Sequence, residues 1–485
     1  MDEIVLISYF LSLLVLFVFG SHGFIMIYYY NKYRNVKKHT VKNDFVPESN
    51  VTIQLPLYNE QYVVERLIDS VCEIEYPKDK LEIQVLDDST DETVDIVAKK
   101  VAEKQALGFD IQHVRRSSRE GFKAGALKEG LKTAKGEFVA IFDADFVPEK
   151  DFLFKTLPHF ADDNIGMVQT RWEHLNGDYS ILTKAQALAL DAHFVIEQNV
   201  RNKAGFFINF NGTGGVWRKS CIYDAGNWHA DTLAEDLDLS YRAQLNGWQF
   251  VFLRDSVSPA ELPSEINALK AQQFRWTKGH IETAKKLLPL VWKAKIPFRI
   301  KAQATFHLSV NFVFPFTLLA AIMNVPLVFV KNSGAHEIYF AILSTFVLAF
   351  IGSFIFYLTS QKDIRPDWRK KIVLFPLFMA GSMGLAVNNS RAVIEGLLGR
   401  KSEFVRTPKF NKLVGNGDGI NKNKYVSRKL EPGVIVELVM AIYCFVGVLS
   451  SIYFLEIATL PFQFLFFLGF AFMSFSSIKH AYSKK

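Results

Sequence analysis

Two carboxylates separated by a single residue, Asp143 and Asp145, directly follow the apolar, β-rich run 138–142. At the end of a strand both side chains can approach one hard divalent cation, and Mg²⁺ or Mn²⁺ bound to a diphosphate is its natural occupant. Such pairs also cap helices or form turns, so the pair alone leaves both interpretations open. The sequence therefore predicts a candidate metal site that must be judged with its neighbours.

Polar residues also follow the first two β-rich runs of the chain. Tyr58 and Glu60 come after the first run, and the pair Asp87-Asp88 comes after the second. Asp88 has the residue type of a helix N-cap, and a contact to a nucleobase or ribose is the alternative. Ligands of an open, mostly parallel sheet bind outside the carboxyl ends of the strands. We therefore expect the polar ends of all three strands to line one crevice.

Two further groups have types that suit nucleotide chemistry. Lys123 lies between Gly121 and Gly125 at a predicted helix start, which suits a phosphate, although a solvated lysine would look the same. Glu235 and Asp236 precede an amphipathic run. Acidic residues at a helix N-terminus are ordinary partners of the helix dipole, and one of them could also act as a general base.

The stretch 272–276 combines a permanent cation with an indole. Arg275 could bind a diphosphate, and Trp276 offers a flat face on which a sugar ring could stack. Gln272 completes a Gln-x-x-Arg-Trp pattern. An amphipathic helix that touches a membrane surface is the alternative interpretation.

The elements that must position these residues divide into two kinds. From 51 to about 288, β-rich runs alternate with helical stretches, which is typical of an α/β fold. The whole chain of 485 residues is 49% hydrophobic, with 44 Phe, yet 22% charged, so apolar and charged segments must be segregated along it. The 3 Cys are scattered and predict neither a disulfide framework nor a zinc site.

The apolar segments predict an integral membrane protein. The run 4–30 has no charged residue, and the basic residues that follow it indicate a retained anchor rather than a cleaved signal peptide. This arrangement also accounts for the net charge of +7 without nucleic acid as a partner. Further spans are predicted at 305–330, 338–358, 434–454 and 460–478.

The apolar stretch 372–387 is short for a crossing, which needs about 20 residues, and suits an interfacial or re-entrant element. The basic loops 361–371 and 400–430 both lie in the cytosol only if this stretch does not cross. We therefore predict five spans, with six as the alternative.

Taken in order, the motifs resemble those of family 2 glycosyltransferases, and most closely those of cellulose synthase and the plant cellulose-synthase-like A mannan synthases. The similar stretches are 54–60, 84–93, 121–132, 141–148, 210–217, 235–239 and 261–276. The resemblance implies a GT-A-type nucleotide-sugar-binding α/β domain with a mostly parallel sheet, together with an α-helical transmembrane region.

The apolar segments and this resemblance together divide the chain into seven parts. They are a transmembrane anchor (1–40), a cytosolic GT-A domain (41–287), an interfacial helix (288–304), a transmembrane hairpin (305–360), an interfacial or re-entrant helix (372–399), a cytosolic gating loop (400–432) and a second hairpin (433–479).

The resemblance also implies roles for individual residues. Asp236 would be the general base beside Glu235, although Ala234 replaces the Thr of the family's Thr-Glu-Asp motif. Asp143 and Asp145 would hold Mg²⁺ or Mn²⁺, and Trp276 would floor the acceptor subsite. The donor would be bound by Tyr58, Glu60, Asp87, Asp88, Lys123, Asp143, Gln272 and Arg275, together with Phe404, Thr407 and Lys409 of the gating loop.

The expected activity is that of an inverting, processive, metal-dependent β-glycosyltransferase. It would use a UDP- or GDP-hexose, with glucose or mannose as the sugar, to elongate and translocate a β-linked polysaccharide. Transfer of one sugar to a membrane lipid, as in ceramide glucosyltransferase-like relatives, is the alternative. A silent scaffold lacks support because no carboxylate is lost, and an NTPase because no phosphate-binding Gly-x4-Gly-Lys loop occurs. We expect a multi-pass protein of the plasma (inner) membrane, in contact with membrane lipid and an export partner.

Overall fold

The computed structural model describes residues 2–36, 48–334, 336–402, 407, 409, 411, 424–425 and 430–482. Seven of its strands form one sheet in the order β3-β2-β1-β4-β6-β5-β7. These are β1 (Val51–Leu57), β2 (Leu81–Asp87), β3 (Asp110–Val114), β4 (Phe138–Ile141), β5 (Ile165–His174), β6 (Gly215–Arg218) and β7 (Gln249–Ala260).

The sheet is mostly parallel, as the sequence predicts. Strands β1 to β4 are parallel to one another, and β5 is parallel to β7. Strand β6 is antiparallel to both β4 and β5. The predicted strands at 51–55, 82–86 and 138–142 are confirmed as β1, β2 and β4. Because these three are adjacent and parallel, their carboxyl ends meet at one edge.

Apolar side chains cover both faces of the sheet, as a sheet buried on two sides requires. One core includes Ile53 of β1, and the other includes Val139 of β4. The helices of this domain are α2 (Val64–Cys72), α3 (Thr93–Ala106), α4 (Phe122–Thr133), α5 (Phe152–Thr156), α6 (Ile181–Ala192), α7 (Asn199–Ala204), α8 (Lys219–Asp224), α9 (Glu235–Leu245) and α10 (Ile266–Lys293). A π-helical segment, His193–Gln198, joins α6 to α7.

The remaining helices are rich in apolar residues. They are α1 (Asp2–Tyr33), α11 (Phe298–Ser309), α12 (Val313–Asn332), α13 (Glu337–Ser344), α14 (Val347–Ile364), α15 (Trp368–Ile372), α16 (Phe375–Gly384), α17 (Ala386–Leu397), α18 (Pro432–Tyr453) and α19 (Leu460–Tyr482). By length and composition, five helical stretches of the described chain are able to cross a membrane: Asp2–Tyr33, Phe298–Asn332, Glu337–Ile364, Pro432–Tyr453 and Leu460–Tyr482. These coincide with the five predicted spans and indicate a multi-pass membrane protein.

Two predicted helices are divided in the structure. The segment 288–304 includes the end of α10 and the start of α11, and these helices are separated at 294–297 because Pro297 begins a new helix as its N-cap. The segment 372–399 contains α16 and α17. Helix α17 packs on α10, where Lys285 Nζ donates a hydrogen bond to the carbonyl oxygen of Leu397 at 2.6 Å.

Candidate active site

The carboxyl ends of β1, β2 and β4 open into a cavity of about 1170 Å³. Predicted site residues from each strand end line this cavity, namely Tyr58, Glu60, Asp88, Asp143 and Asp145. Residues from the later motifs also line it, namely Lys123, Glu235, Asp236, Gln272, Arg275, Trp276, Thr407 and Lys409. The motifs are therefore brought together as the order of the strands predicts, while Phe404 lies outside the described residues.

Asp87 is the predicted residue that does not line this cavity. Its carboxylate accepts hydrogen bonds from His113 Nε2 at 2.8 Å and from the backbone N–H of Ser89 at 2.9 Å. Burial acts to raise the pKa of Asp87, but these hydrogen bonds outweigh it and lower the pKa below its usual value. Asp87 therefore stabilises the turn after β2, and Asp88 is the member of the pair that faces the cavity.

Three arginines after β3 contact the polar residues that follow β1 and β2, and our sequence analysis did not identify them. Arg116 binds both carboxylate oxygens of Asp88, at 2.7 and 2.6 Å. The guanidinium of Arg119 stacks over the Tyr58 ring, 3.3 Å from its centroid, and Arg119 lines the cavity. Arg115 donates to the carbonyl oxygen of Ser89 at 3.0 Å. The available signal was the cluster of basic residues directly before Gly121.

Lys123, at the start of α4, connects the strand ends to the later motifs. Its Nζ donates to Asp143 Oδ1 at 2.6 Å and to the carbonyl oxygen of Gly212 at 2.9 Å. Burial disfavours the ammonium, but the carboxylates of Asp143 and Glu235 outweigh this effect and raise the pKa of Lys123. Lys123 is therefore charged at neutral pH, as a residue that binds a diphosphate must be.

Asp143 and Asp145 each form an ion pair with a lysine. Lys123 lies on Asp143, and Lys409 Nζ lies 2.5 Å from Asp145 Oδ2. These paired carboxylates at one strand end fit a hard divalent cation, which typically binds through one or two carboxylates together with substrate phosphates. Asp143 and Asp145 would hold Mg²⁺ or Mn²⁺ in this position, where two cationic side chains now balance their charge.

Glu235 and Asp236 form the first turn of α9, and both are partly exposed in the cavity wall. Burial and the neighbouring carboxylate of Glu235 raise the pKa of Asp236 to about 7, although the charge of Lys123 opposes this shift. Leu237 donates its backbone N–H to Asp236 Oδ1 at 2.7 Å. A carboxylate with a pKa near the working pH is well suited to accept a proton and release it again.

Arg275 and Trp276 lie on α10, and Arg275 lies beside the loop after α17. Arg275 Nη2 donates to the hydroxyl of Thr407 at 2.9 Å. Burial lowers the pKa of Arg275 to about 10, with Glu235 and Asp143 acting in the opposite direction, so the side chain stays charged at neutral pH. Arg275 of the Gln-x-x-Arg-Trp stretch therefore contacts the loop after α17 through Thr407.

The cavity continues from Trp276 between the apolar helices. Aromatic side chains from several of these helices line it, including Phe17, Phe306, Phe314, Phe350 and Phe462. Sugar rings stack on aromatic faces through their C–H groups, while their hydroxyls need polar partners. The cavity thus joins the polar strand ends to the membrane-spanning region.

Residues 47–279 match the family model described as "Glycosyltransferase like family 2". The chain contains a family 2 glycosyltransferase domain. Solved structures agree on the fold: the mannosyltransferase PcManGT from Pyrobaculum calidifontis, in complex with GDP-Man and Mn²⁺, superposes with a TM-score of 0.57 at 20% identity. That match covers 80% of this chain and 100% of the other, and it confirms the GT-A fold of the domain.

Several curated relatives of this family 2 domain come from plants. "Glucomannan 4-beta-mannosyltransferase 1" of Oryza sativa subsp. japonica is 40% identical over 279 residues, which are 56% of this chain and 53% of the relative. "Glucomannan 4-beta-mannosyltransferase 2" of Arabidopsis thaliana is 38% identical over 351 residues, which are 68% of this chain and 65% of the relative. The chain thus spans between half and two thirds of the length of these two relatives, and the resemblance to cellulose-synthase-like A proteins is confirmed.

Within the family 2 domain, Gly212 is a further residue that our site prediction did not include. Its φ of +81° lies in the left-handed region, and a Cβ at this position would meet Asp236 Oδ2 at 3.0 Å and Lys123 Nζ at 3.4 Å. Glycine therefore allows the backbone to pass between the predicted base and the predicted phosphate ligand. The available signal was its place in the stretch 210–217, which resembles the family.

Proposed function

We propose that the chain is an inverting, processive β-glycosyltransferase that transfers hexosyl units from a nucleotide sugar to a growing β-linked glycan. The observation that carries the proposal is the continuity of one cavity from Asp143 and Asp236, past Trp276, into the apolar helices. A transferase that adds one sugar needs only the first part of this cavity. A transferase that extends a chain needs a path for its product.

The donor that we favour is GDP-mannose. The names of the plant relatives describe 4-β-mannosyl transfer, and PcManGT was solved with GDP-Man. UDP-glucose is the other donor that the sequence predicts. The charges of Lys123 and Arg275 suit the diphosphate of either nucleotide.

The proposed transfer needs an acceptor hydroxyl aligned behind the anomeric carbon and a base that takes its proton. Asp236 would accept this proton as the hydroxyl oxygen bonds to the anomeric carbon and the bond to the diphosphate breaks. Lys123 and Arg275 would stabilise the charge on the departing nucleotide. Mg²⁺ or Mn²⁺, when bound at Asp143 and Asp145, would supply further neutralisation of the diphosphate.

The acceptor would stack on the indole of Trp276, a residue that lines the cavity. We place the catalytic domain and the basic loops in the cytosol, because positively charged loops stay on that side. The domain boundaries given above are part of this proposal. Residence in the plasma membrane and an export partner are further expectations, as is contact with membrane lipid.

The test is to incubate purified membranes with a panel of labelled UDP- and GDP-sugars and either metal. The product is then sized and digested with linkage-specific hydrolases. We expect a long β-linked product from one donor, with GDP-mannose as the first candidate, and elongation that is about 10²- to 10⁴-fold slower with Asp236→Asn. A single sugar on an extractable lipid, as in the alternative function, would contradict the proposal.

A further inference from the structure

A π-helical segment lies in the cavity wall and packs against α1, the first apolar helix. It runs from His193 to Gln198, between α6 and α7. The buried residues Val195 and Ile196 of this segment belong to a cluster with Met26 of α1, whereas His193 and Glu197 line the cavity. π-helical turns are rare and occur frequently at functional sites, because the inserted residue redirects side chains. The packing of Val195 and Ile196 does not explain why His193 and Glu197 face the cavity, so a function for these two side chains is sought.

A buried arginine follows this segment by less than one turn. Arg201 is only 3% exposed and lines the cavity. Its Nε and Nη1 atoms have no hydrogen-bond partner among the residues that the structure describes. A buried donor without a partner costs stability, and more so when the donor is charged. Because the residue also lines the cavity, a ligand with acceptor oxygens in that cavity would supply Arg201 with a partner.

Hydrogen bonds fix the orientation of the neighbouring polar groups. Gln198 Nε2 donates to the carbonyl oxygen of Asn209 at 2.8 Å and to Asn211 Oδ1 at 2.7 Å. The amide nitrogen of Asn211 must then face His193 Nε2, at 3.2 Å, and donate to it. His193 consequently carries its proton on Nδ1, which donates to Glu197 Oε2 at 2.8 Å. The geometry leaves Glu197 as an ionised acceptor in the cavity wall.

The charges of this cluster balance. Burial acts to raise the pKa of Glu197, but the hydrogen bond from His193 and the charge of Arg201 lower it to about 2. Burial lowers the pKa of His280, so this nearby ring is neutral at pH 7. One cation and one anion thus face the cavity with no excess charge. This combination suits an uncharged ligand that is rich in hydroxyl groups, whereas a uronate or a phosphate would need a net positive site.

The cluster also has a defined position relative to the candidate acceptor platform. His280 Nδ1 donates to the carbonyl oxygen of Trp276 at 3.0 Å, so the two residues are one turn apart on α10. His22 of α1 lines the cavity too and stacks on Phe306 with 4.6 Å between ring centroids. The cluster therefore lies where the catalytic domain meets the first apolar helices.

We propose that Arg201, Glu197 and His193 form a second acceptor subsite that binds the hydroxyls of a neutral hexose unit inside the glycan. This inference rests on the proposed function, because it assumes a glycan that enters the cavity beyond Trp276. The subsite selects acceptors that are long enough to reach it. It contributes to acceptor affinity and not to the chemistry at the anomeric carbon.

The experiment measures how acceptor affinity depends on acceptor length. The purified full-length chain is given β-1,4-linked manno-oligosaccharides from the disaccharide to the hexasaccharide, with saturating donor. Arg201→Gln and Glu197→Gln are compared with the wild type and with Arg391→Gln, which changes an exposed arginine. We expect the KM of the longer acceptors to rise about tenfold in both cavity variants, since each loses a hydrogen bond to a charged group. The KM of the disaccharide and of the donor should stay unchanged, as should every value for Arg391→Gln.

An equal change at all lengths, or no change, would overturn the subsite. The nucleotide affinity of each variant is measured first, as a test of correct folding. If Arg201→Gln does not bind nucleotide, the dependence of KM on acceptor length is compared between the wild type and the isosteric Glu197→Gln variant alone. Calorimetric binding of the hexasaccharide without donor provides a readout that does not depend on transfer. If the wild type transfers no sugar from any donor, the proposed function is wrong. The subsite would still be supported if the hexasaccharide binds the wild type about tenfold more tightly than it binds the variants.

Discussion

Lys409 Nζ lies 2.5 Å from Asp145 Oδ2, so a lysine of the loop after α17 is paired with a predicted metal ligand. A lysine and a divalent cation cannot share the same carboxylate oxygen without strong repulsion. Entry of the cation at Asp145 therefore requires Lys409 to move, and the loop and the metal site are coupled. Lys409 thus pairs with Asp145 in the present state, and we predict that it moves to a donor phosphate when the metal and the nucleotide sugar are bound.

The first prediction concerns Lys409→Gln in the absence of nucleotide. Removal of the competing charge should tighten Mn²⁺ binding about fivefold, the upper range for one partly exposed ion pair. Electron paramagnetic resonance of free Mn²⁺ measures this directly, with no need for catalysis. Lys401→Gln, which changes an exposed lysine nearby, is the control and should bind Mn²⁺ as the wild type does. Unchanged Mn²⁺ affinity in Lys409→Gln would show that the ion pair does not compete with the metal.

The second prediction concerns Asp236. Because its pKa is raised to about 7, the carboxyl group is protonated and inactive as a base below that pH, so kcat/KM should rise as the pH increases through about 7. Asp236→Asn should lower the rate about 10²- to 10⁴-fold and leave nucleotide affinity intact. Between the unfolded value of about 4 and 7, the folded chain binds more protons at Asp236 than the unfolded chain. The contribution of this group to stability should therefore fall as the pH rises through that window.

A pH profile that is flat from 6 to 8, or an Asp236→Asn enzyme with normal elongation, would contradict this role. Glu235→Gln serves as the comparison. Loss of the neighbouring charge should lower the pKa of Asp236 and shift the profile to lower pH.

The sequence predicted those parts of the molecule that depend on local patterns. Strand β4 is a continuous apolar run, whereas β1 and β2 alternate apolar with polar residues. The meeting of the polar ends of these strands follows from their parallel arrangement in the sheet. The spans could be predicted because about 20 apolar residues suffice to mark them. Most of the candidate site followed from motifs at these strand ends and on α10.

The features that were missed depend on contacts between distant segments. Asp87 and Asp88 are adjacent in sequence, yet His113 holds the first away from the cavity and Arg116 binds the second. Neither partner could be assigned from spacing. Glycine is needed at 212 because a side chain there would meet Lys123 of α4 and Asp236 of α9, which are distant in sequence. The π-helical segment has no periodic signal that separates it from the surrounding helix.

The third prediction concerns the crowding at Gly212. Gly212→Ala introduces a Cβ that would meet Asp236 Oδ2 at 3.0 Å in a backbone conformation with φ of +81°. Gly108→Ala is a matched control, because Gly108 has the same φ and nothing within 4 Å of the added Cβ. Both variants should lose about 1–2 kcal/mol of stability through backbone strain. Only Gly212→Ala should also lose about 10²-fold in transfer rate, since the base is displaced from its position.

Thermal denaturation and initial rates of the two variants separate these effects. Equal activity in Gly212→Ala and Gly108→Ala would show that the close approach at 212 has no catalytic consequence. Equal loss of activity in both would assign the effect to stability alone.

The last prediction concerns the attachment of the catalytic domain to the membrane helices. Lys270 of α10 forms a buried ion pair with Glu437 of α18, with 2.6 Å between Nζ and Oε2, and also donates to Ser477 of α19 at 3.2 Å. Lys270→Met leaves Glu437 as an unpaired buried charge, which typically costs about 3–5 kcal/mol. The double variant Lys270→Met/Glu437→Leu removes both charges and should recover most of that loss. Lys132→Met, which breaks the exposed pair with Glu129, should change stability by less than about 1 kcal/mol. The thermal midpoint of each purified variant measures its relative stability. A double variant less stable than Lys270→Met would show that the contact between α10 and α18 depends on more than the balance of these two charges.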